Sequence, residues 1–220
     1  MTVIMVSKSD KGKGETLFAA HLAVALSEKY KTALVDFRPS SKILQSFIEM
    51  RQTLNETKKL SLSVPTYFAY HKNIVEELKA DYDYIILDTT DLRLAPLCDI
   101  LITLISSKKG VQSFMGQGSS YANKLWKARK ERATQHLRPI KSFVVPNGIK
   151  KANRLERSSM MMGYRVTPEI LQNESYAEGL KSGITVFDKN MSYFAKLFHS
   201  KDFFARRNLR QIIEFILSFR

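Results

Sequence analysis

MTVIMVSKSDKGKGETLFAAHLAVAL, residues 1–26, is the stretch that decides the fold. Its first apolar run, Thr2–Val6, is short and β-branched, which is typical of a buried strand. A loop rich in glycine and lysine follows. Leu17–Leu26 is then apolar at every position except His21 and rich in Ala and Leu, which predicts a buried helix. Because Lys31–Phe37 reads as a second strand, the segment predicts a βαβ unit with parallel strands.

The same alternation continues along the rest of the chain. Further strands are predicted at Leu60–Val64, Tyr84–Leu87, Cys98–Ile105 and Lys141–Val145, with a short edge strand or turn at Arg165–Pro168. Further helices are predicted at Ile43–Leu54, Asn73–Leu78, Tyr121–Thr134, Arg154–Met162 and Asp202–Phe219. The pattern predicts an α/β fold: a doubly wound, mostly parallel sheet flanked by helices, in a single domain over residues 1–220.

Composition narrows the function classes. The chain has 220 residues and a net charge of +14, with a pI near 9.8, so it should attract polyanions such as nucleic acid. One cysteine, Cys98, excludes a disulfide within the chain, and the four histidines have no metal-ligand spacing. No secretory signal is expected and no apolar run approaches the ~20 residues of a membrane span. We therefore expect a cytoplasmic protein.

The loop after the first strand is a candidate phosphate site. Ligands of open α/β sheets bind beyond the carboxyl ends of the strands, where glycines let backbone N–H groups surround an anion. Thr16 stands where a P-loop threonine would bind Mg²⁺, and Asp88 ends a strand as a metal-holding carboxylate does. Glu15, however, stands where the pattern G-x-x-x-x-G-K-[ST] needs lysine, and a carboxylate repels phosphate. A plain strand-to-helix turn remains the alternative.

Three segments in order, MTVIMVSKSDKGKGETLFAAHLAVAL, TALVDFRP and YDYIILDTT, resemble the ParA/MinD family of P-loop ATPases. Within it the resemblance is to the MipZ branch, which positions the division plane, through KILQSFIEMR, SSYANKLWKARKERA and GYRVTPEILQNESYAEGLKSGITVFD. The resemblance implies a P-loop fold and ATP or ADP with Mg²⁺. It also implies nonspecific DNA binding, a homodimer or a heterodimer with a related ATPase, and a ParB-like or division protein as partner.

Carried over by position, the resemblance assigns both matches and departures. The matches are Gly12, Gly14, Thr16, Asp36 and Asp88, with Asn147 near an adenine-contacting asparagine. The departures are Asp10 at the signature lysine, Glu15 at the Walker lysine and Arg38 at a second aspartate linked to water activation. Lys8, Lys11 or Lys13 could supply a replacement charge. The candidate nucleotide-binding residues are therefore Lys11, Gly12, Lys13, Gly14, Thr16 and Asn147, and the candidate metal residues are Thr16, Asp36 and Asp88.

Two basic clusters are the candidate DNA surface. They comprise Lys124, Lys127, Arg129, Lys130 and Arg132 on one helix, and Arg206, Arg207 and Arg210 on the last helix. Trp126 is predicted to pack inside, and the apolar stripe of the last helix to face the core rather than a membrane. The sequence thus predicts a nucleoid-associated positioning protein with impaired or lost ATP hydrolysis, or no nucleotide at all. An active Mg-dependent ATPase and a non-enzymatic partner of an intact ATPase remain the alternatives.

Overall fold

The computed structural model of the chain describes residues 1–9, 14–115, 119–149, 159–171, 174–188 and 200–219. Its strands are β1 (Thr2–Lys8), β2 (Thr32–Asp36), β3 (Thr66–Ala69), β4 (Tyr84–Asp88), β5 (Ile100–Ile105), β6 (Lys141–Pro146) and β7 (Tyr164–Val166). Its α-helices are α1 (Glu15–Ser27), α2 (Ile43–Lys58), α3 (Ile74–Leu78), α4 (Lys108–Met115), α5 (Ser120–Thr134), α6 (Ser175–Lys181) and α7 (Ser200–Leu217). Short 3₁₀ helices occupy Pro39–Ser41 and Leu92–Leu97.

The strands follow the order β3-β2-β4-β1-β5-β6-β7, and the registered pairs are all parallel. This confirms the predicted α/β class. Contacts group the chain into two compact units. The first unit holds residue 1 and residues 16–88 and 173–210; the second holds residues 2–15, 89–172 and 211–220. The single domain over 1–220 stays a prediction.

The first unit contains β2, β3 and β4 with α2 and α3. Strands β2 and β4 are buried along their whole length and pair in register, so that Asp36 lies opposite Asp88 at their carboxyl ends. The strand predicted at Leu60–Val64 is wrong. Both backbone groups of Leu62 are held by the side chain of Asn55, at 2.8 and 3.0 Å, which ties this segment to α2. The strand lies instead at Thr66–Ala69.

The second unit contains β1, β5, β6 and β7 with α4 and α5. Residues of β5 are all buried, and β7 is the short edge strand that the sequence predicted. Helix α4 was not predicted, and neither was α6 of the first unit. The predicted helix Arg154–Met162 lies largely outside the described residues. Along α7 the apolar stripe is buried as predicted, with Leu209, Ile212 and Ile216 each at most 3% exposed.

Candidate functional site

Two of the three predicted metal residues, Thr16 and Asp88, lie together in the first unit. Thr16 is in the first turn of α1 and Asp88 is the last residue of β4. The hydroxyl Oγ1 of Thr16 donates a hydrogen bond to Oδ2 of Asp88 over 2.8 Å. Asp88 is only 1% exposed. The N-terminus of α1 and the end of β4 therefore meet at this hydrogen bond.

The side chain of Arg38 contacts both Thr16 and Asp88. Its Nη2 donates to Oγ1 of Thr16 over 2.5 Å and to Oδ2 of Asp88 over 3.3 Å. The guanidinium thus contacts both oxygens that were expected to hold a metal ion. The Arg38 side chain is 44% exposed, whereas the carboxylate that it contacts is buried. We call Thr16, Arg38 and Asp88 the guanidinium cluster.

Asp36 holds the backbone of Arg38, the arginine of the guanidinium cluster. Its Oδ1 accepts the backbone N–H of Arg38 over 2.7 Å, which fixes the turn after β2. Burial, and then the charge of Asp36, raise the pKa of Tyr67 on the adjacent strand β3. Asp36 therefore orients the residue that bears the guanidinium, and no described contact joins it to Thr16.

The residues of the cluster do not fit Mg²⁺ in the arrangement that they adopt. Mg²⁺ in a P-loop is held by the Ser/Thr hydroxyl and a strand-ending carboxylate, with near-octahedral oxygen ligands. Here the guanidinium of Arg38 already donates hydrogen bonds to both of these groups. A Mg²⁺ ion placed beside this positive charge would be repelled. Among the described residues, no group of three or more His, Cys, Asp or Glu side chains could hold a metal ion.

Glu15 has a partner of its own in the second unit. Its Oε1 accepts a hydrogen bond from Nζ of Lys8 over 2.5 Å, and the two side chains are 5% and 19% exposed. Lys8 ends β1, and Glu15 opens α1, where the helix dipole favours a negative charge. Of the three lysines considered as replacements, Lys8 is therefore engaged by Glu15. Asp10, Lys11, Gly12 and Lys13 lie outside the described residues.

Gly14 and Asn147, both predicted nucleotide residues, are in contact within the second unit. Gly14 has a φ of +118°, and a Cβ there would lie 2.7 Å from Nδ2 of Asn147. Asn147 is held in turn by its backbone N–H, which donates to the carbonyl of Ile105 over 2.9 Å. A glycine is required at position 14 both for its backbone conformation and for this approach.

A cleft of about 410 Å³ in the second unit was not predicted from the sequence. Its lining includes Lys8, Ser9, Ser113, Tyr121 and Lys124. Ser9 donates to the carbonyl of Gly110 over 3.2 Å, which ties the start of the glycine loop to α4. The cleft contributes hydroxyl and ammonium groups, the donors that an anion needs. Sequence patterns did not reveal this cleft, because its lining residues come from four separate segments of the chain.

The basic residues of α5 divide into two sets. Lys124, Lys127 and Lys130 are exposed. Arg132 is 4% exposed and donates to the carbonyls of Pro96 and Arg138 and to Asp99. Arg129 donates to the carbonyl of Met162 over 2.9 Å and to Oγ of Ser142 over 3.0 Å. The two arginines therefore hold the fold of the second unit, which corrects their assignment to a surface.

Two further predictions are changed or left open by the structure. Trp126 is 63% exposed, so the prediction that it packs inside is wrong; Nζ of Lys130 lies 5.5 Å from the centre of its ring. On α7, Arg207 and Arg210 are exposed and Arg206 is half-buried. Arg210 approaches Glu28 at 4.0 Å. Because the two basic clusters belong to different units, a common DNA-binding surface stays a prediction.

Within the described residues, none of the helices combines the length and apolar character that crossing a bilayer requires.

Parallel strands, a glycine-bearing loop before α1, and strand-ending aspartates are the framework of a P-loop ATPase of the ParA/MinD type. The family model for ATPase MipZ matches residues 2–102 and 88–218. The chain belongs to the MipZ family. Among curated protein sequences, none matches it.

Solved structures share the fold at low identity. Apo McdA from Cyanothece has 17% identity and a TM-score of 0.61, with 97% of this chain and 99% of that one covered. The MinC:MinD complex of Aquifex aeolicus has 14% identity and a TM-score of 0.62, covering 99% and 96%. MinD of Pyrococcus horikoshii, complexed with Mg-ADP, has 16% identity and a TM-score of 0.59, covering 98% and 95%.

Proposed function

We propose that this chain is a MipZ-family protein that binds DNA without sequence specificity and has impaired or lost ATP hydrolysis. It would serve the spatial positioning of cell division or DNA segregation in the bacterial cytoplasm. A protein partner is in keeping with this role, since MinD of Aquifex aeolicus is seen in a complex with MinC. Family membership supports the positioning role, and the site residues support the loss of hydrolysis.

The observation that carries the loss of hydrolysis is the pairing of the buried Glu15 carboxylate with the ammonium group of Lys8. Phosphoryl transfer depends on cations placed against the phosphates. At the position where a P-loop carries its phosphate-binding lysine, this chain has a carboxylate that is 4% exposed, and that carboxylate engages the ammonium group of Lys8. The positive charge of Lys8, which could otherwise attract a triphosphate, is therefore neutralised by Glu15 within the protein.

The hydrolysis test uses the full chain with Mg-ATP and measures release of inorganic phosphate. We expect no turnover above the background of the Thr16→Ala variant, because the chain lacks the lysine whose removal disables an intact P-loop. Multiple turnovers per minute by the unmodified chain, lost in Thr16→Ala, would show an active ATPase and refute the proposal.

DNA binding is supported by the exposed lysines of α5. At 100° per residue, Lys124, Lys127 and Lys130 fall within an arc of about 120° on the helix. They belong to a chain with a net charge of +14. Such ammonium groups contact phosphates and carry no sequence information, which is what a protein that binds any DNA requires.

The triple variant Lys124→Glu, Lys127→Glu, Lys130→Glu tests this surface. If all three lysines contact phosphates, the log–log salt slope should flatten by about 2.7, at about 0.9 per contact. Trp126 is the only tryptophan of the chain and lies beside Lys130, so its fluorescence reports binding directly.

The matched control changes three exposed lysines on other elements, Lys29→Glu, Lys58→Glu and Lys72→Glu. It lowers the net charge by the same amount. Equal weakening of binding by both triple variants would refute a localised surface, and an unmodified chain that does not retard duplex DNA at low salt would refute DNA binding itself.

A further inference from the structure

The backbone of Arg38 is held by one hydrogen bond on each side. Its N–H donates to Asp36 over 2.7 Å, and its carbonyl accepts the N–H of Ser41 over 2.9 Å, in the 3₁₀ turn that Pro39 opens. This anchoring directs one guanidinium nitrogen to the Thr16 hydroxyl and the Asp88 carboxylate. The contact is therefore a consequence of the turn after β2 rather than the chance position of a long surface side chain.

The guanidinium of Arg38 supplies the positive charge beside Asp88 that a metal ion would otherwise supply. A carboxylate that is 1% exposed requires a cation or several donors close to it, because its burial without them is costly. Arginine keeps its charge at every accessible pH and supplies N–H donors in a rigid plane. The Thr16 hydroxyl, which donates to Asp88, can accept from Arg38 through its remaining lone pairs.

We propose that Arg38 is a built-in cation that takes the place of the divalent metal ion, so that the guanidinium cluster binds a phosphate group without a metal. The inference rests on the proposed function, which derives this site from a nucleotide pocket. The side chain is 44% exposed, so an anion from solvent can reach it. Arginine is well suited to such a ligand, since its planar fork matches the oxygens of phosphate.

The first experiment uses Mg²⁺ alone as the probe and measures the thermal unfolding midpoint of the full chain. The midpoint of the unmodified protein should not change with Mg²⁺. Arg38→Ala should be stabilised by Mg²⁺, by about 3 °C at ten times its dissociation constant. The double variant Arg38→Ala, Asp88→Asn should lose that response, since the carboxylate ligand is removed.

Arg93→Ala is the matched control. Arg93 also pairs with an aspartate, Asp91, but on the surface, with the arginine side chain 84% exposed. Its removal should create no response to Mg²⁺. The proposal is overturned if Mg²⁺ stabilises the unmodified protein as much as Arg38→Ala, or if Arg38→Ala does not respond to Mg²⁺ either.

The second experiment measures ADP binding by calorimetry, once with Mg²⁺ and once with EDTA. The unmodified protein should bind ADP with affinities that agree within about twofold in the two buffers. Arg38→Ala should bind ADP at least tenfold more weakly in EDTA, the usual loss for a charge-assisted hydrogen bond, and recover with Mg²⁺. Arg38→Lys, which keeps the charge, should remain independent of Mg²⁺.

The results separate this inference from the proposed function. ADP binding that requires Mg²⁺ in the unmodified protein, or no ADP binding in either buffer, overturns the metal-free phosphate site. ATP turnover by the unmodified protein refutes the proposed function instead. If binding requires Mg²⁺ and no turnover occurs, only the built-in cation is refuted.

Discussion

Two arginine–aspartate pairs of the first unit differ in almost every respect. Arg51 and Asp188 are 0% and 3% exposed, and both terminal nitrogens of the arginine donate to the carboxylate, at 2.9 and 2.8 Å. Arg51 also donates to the carbonyls of Ser63 and Gly183. Arg38 is 44% exposed and reaches Asp88 at 3.3 Å through one nitrogen. The first pair is fully buried, whereas the guanidinium of the second pair is half-exposed.

The largest effect is expected at the buried pair. Arg51→Met keeps much of the side-chain volume but leaves Asp188 buried without its cation, which should lower the free energy of unfolding by about 3–5 kcal/mol. Urea denaturation followed by circular dichroism measures it. The double variant Arg51→Met, Asp188→Asn should recover part of the loss. A loss below about 1 kcal/mol would contradict the comparison.

His21 sharpens the comparison because it lies in the same buried region. Its Nδ1 bonds to the carbonyl of Leu17 at 2.9 Å, and its ring packs edge-on against Tyr176 and Phe187. Burial lowers the pKa of His21 from 6.5 to about 4, with the charge of Asp188 opposing and that of Arg51 assisting.

The unfolded chain therefore binds more protons than the folded one between pH 6.5 and pH 4, and stability should fall as the pH drops through this window. The pKa difference corresponds to about 3 kcal/mol over the window. Unfolding free energies measured from pH 7 to pH 4 test this, and His21→Phe should flatten the profile. An unchanged slope in that variant would assign the acid sensitivity to other groups.

The half-exposed pair should matter much less to stability. Arg38→Ala should lower the free energy of unfolding by less than Arg51→Met does, because removal of a half-exposed side chain lets water reach Asp88, and Thr16 still donates to that carboxylate. The same urea measurement serves. A cost as large as that of Arg51→Met would show that Arg38 is structural and would remove the distinction between the two pairs.

The smallest effect is expected at Arg93, the exposed partner of Asp91 in the second unit. The Arg93 side chain is 84% exposed and that of Asp91 35% exposed, and the two residues are only two positions apart in the sequence. Arg93→Ala should leave the urea midpoint unchanged within error. A measurable loss would mean that the removal of any arginine destabilises this basic chain, so the values for the other two variants would need correction.

The parts of the fold that follow from hydrophobic runs were predictable. Strands β1, β2, β4, β5 and β6 are short apolar segments that are buried, and the predicted bounds differ from the observed ones by at most two residues. Strand β3 was missed because none of its four residues, Thr66–Ala69, is buried, and the alternating apolar residues of Leu60–Val64 just before it gave the stronger strand pattern. The nearby apolar run at Leu60–Val64 is instead bound through the Asn55 side chain, which no pattern reveals.

The candidate site was predictable in its members but not in its contacts. Thr16 and Asp88 follow from their places after a strand and at a strand end, and they are hydrogen-bonded. That Arg38 replaces an aspartate was also visible. Where its guanidinium goes depends on a backbone turn anchored by Asp36, which spacing alone does not specify. In the same way, charge counting cannot separate Arg132, which is buried, from the exposed lysines of α5.

Arg51 also bears on how this protein is made. The segments that it joins are 137 residues apart, so during synthesis Asp188 leaves the ribosome long after Arg51 has emerged. At a translation rate of 5–20 residues per second, roughly 7–27 s pass between the synthesis of Arg51 and that of Asp188. The first unit draws on residues 16–88 and 173–210, so it cannot close while the intervening chain is being translated. Truncated nascent chains that end before Asp188 should therefore be targets for chaperones and proteases.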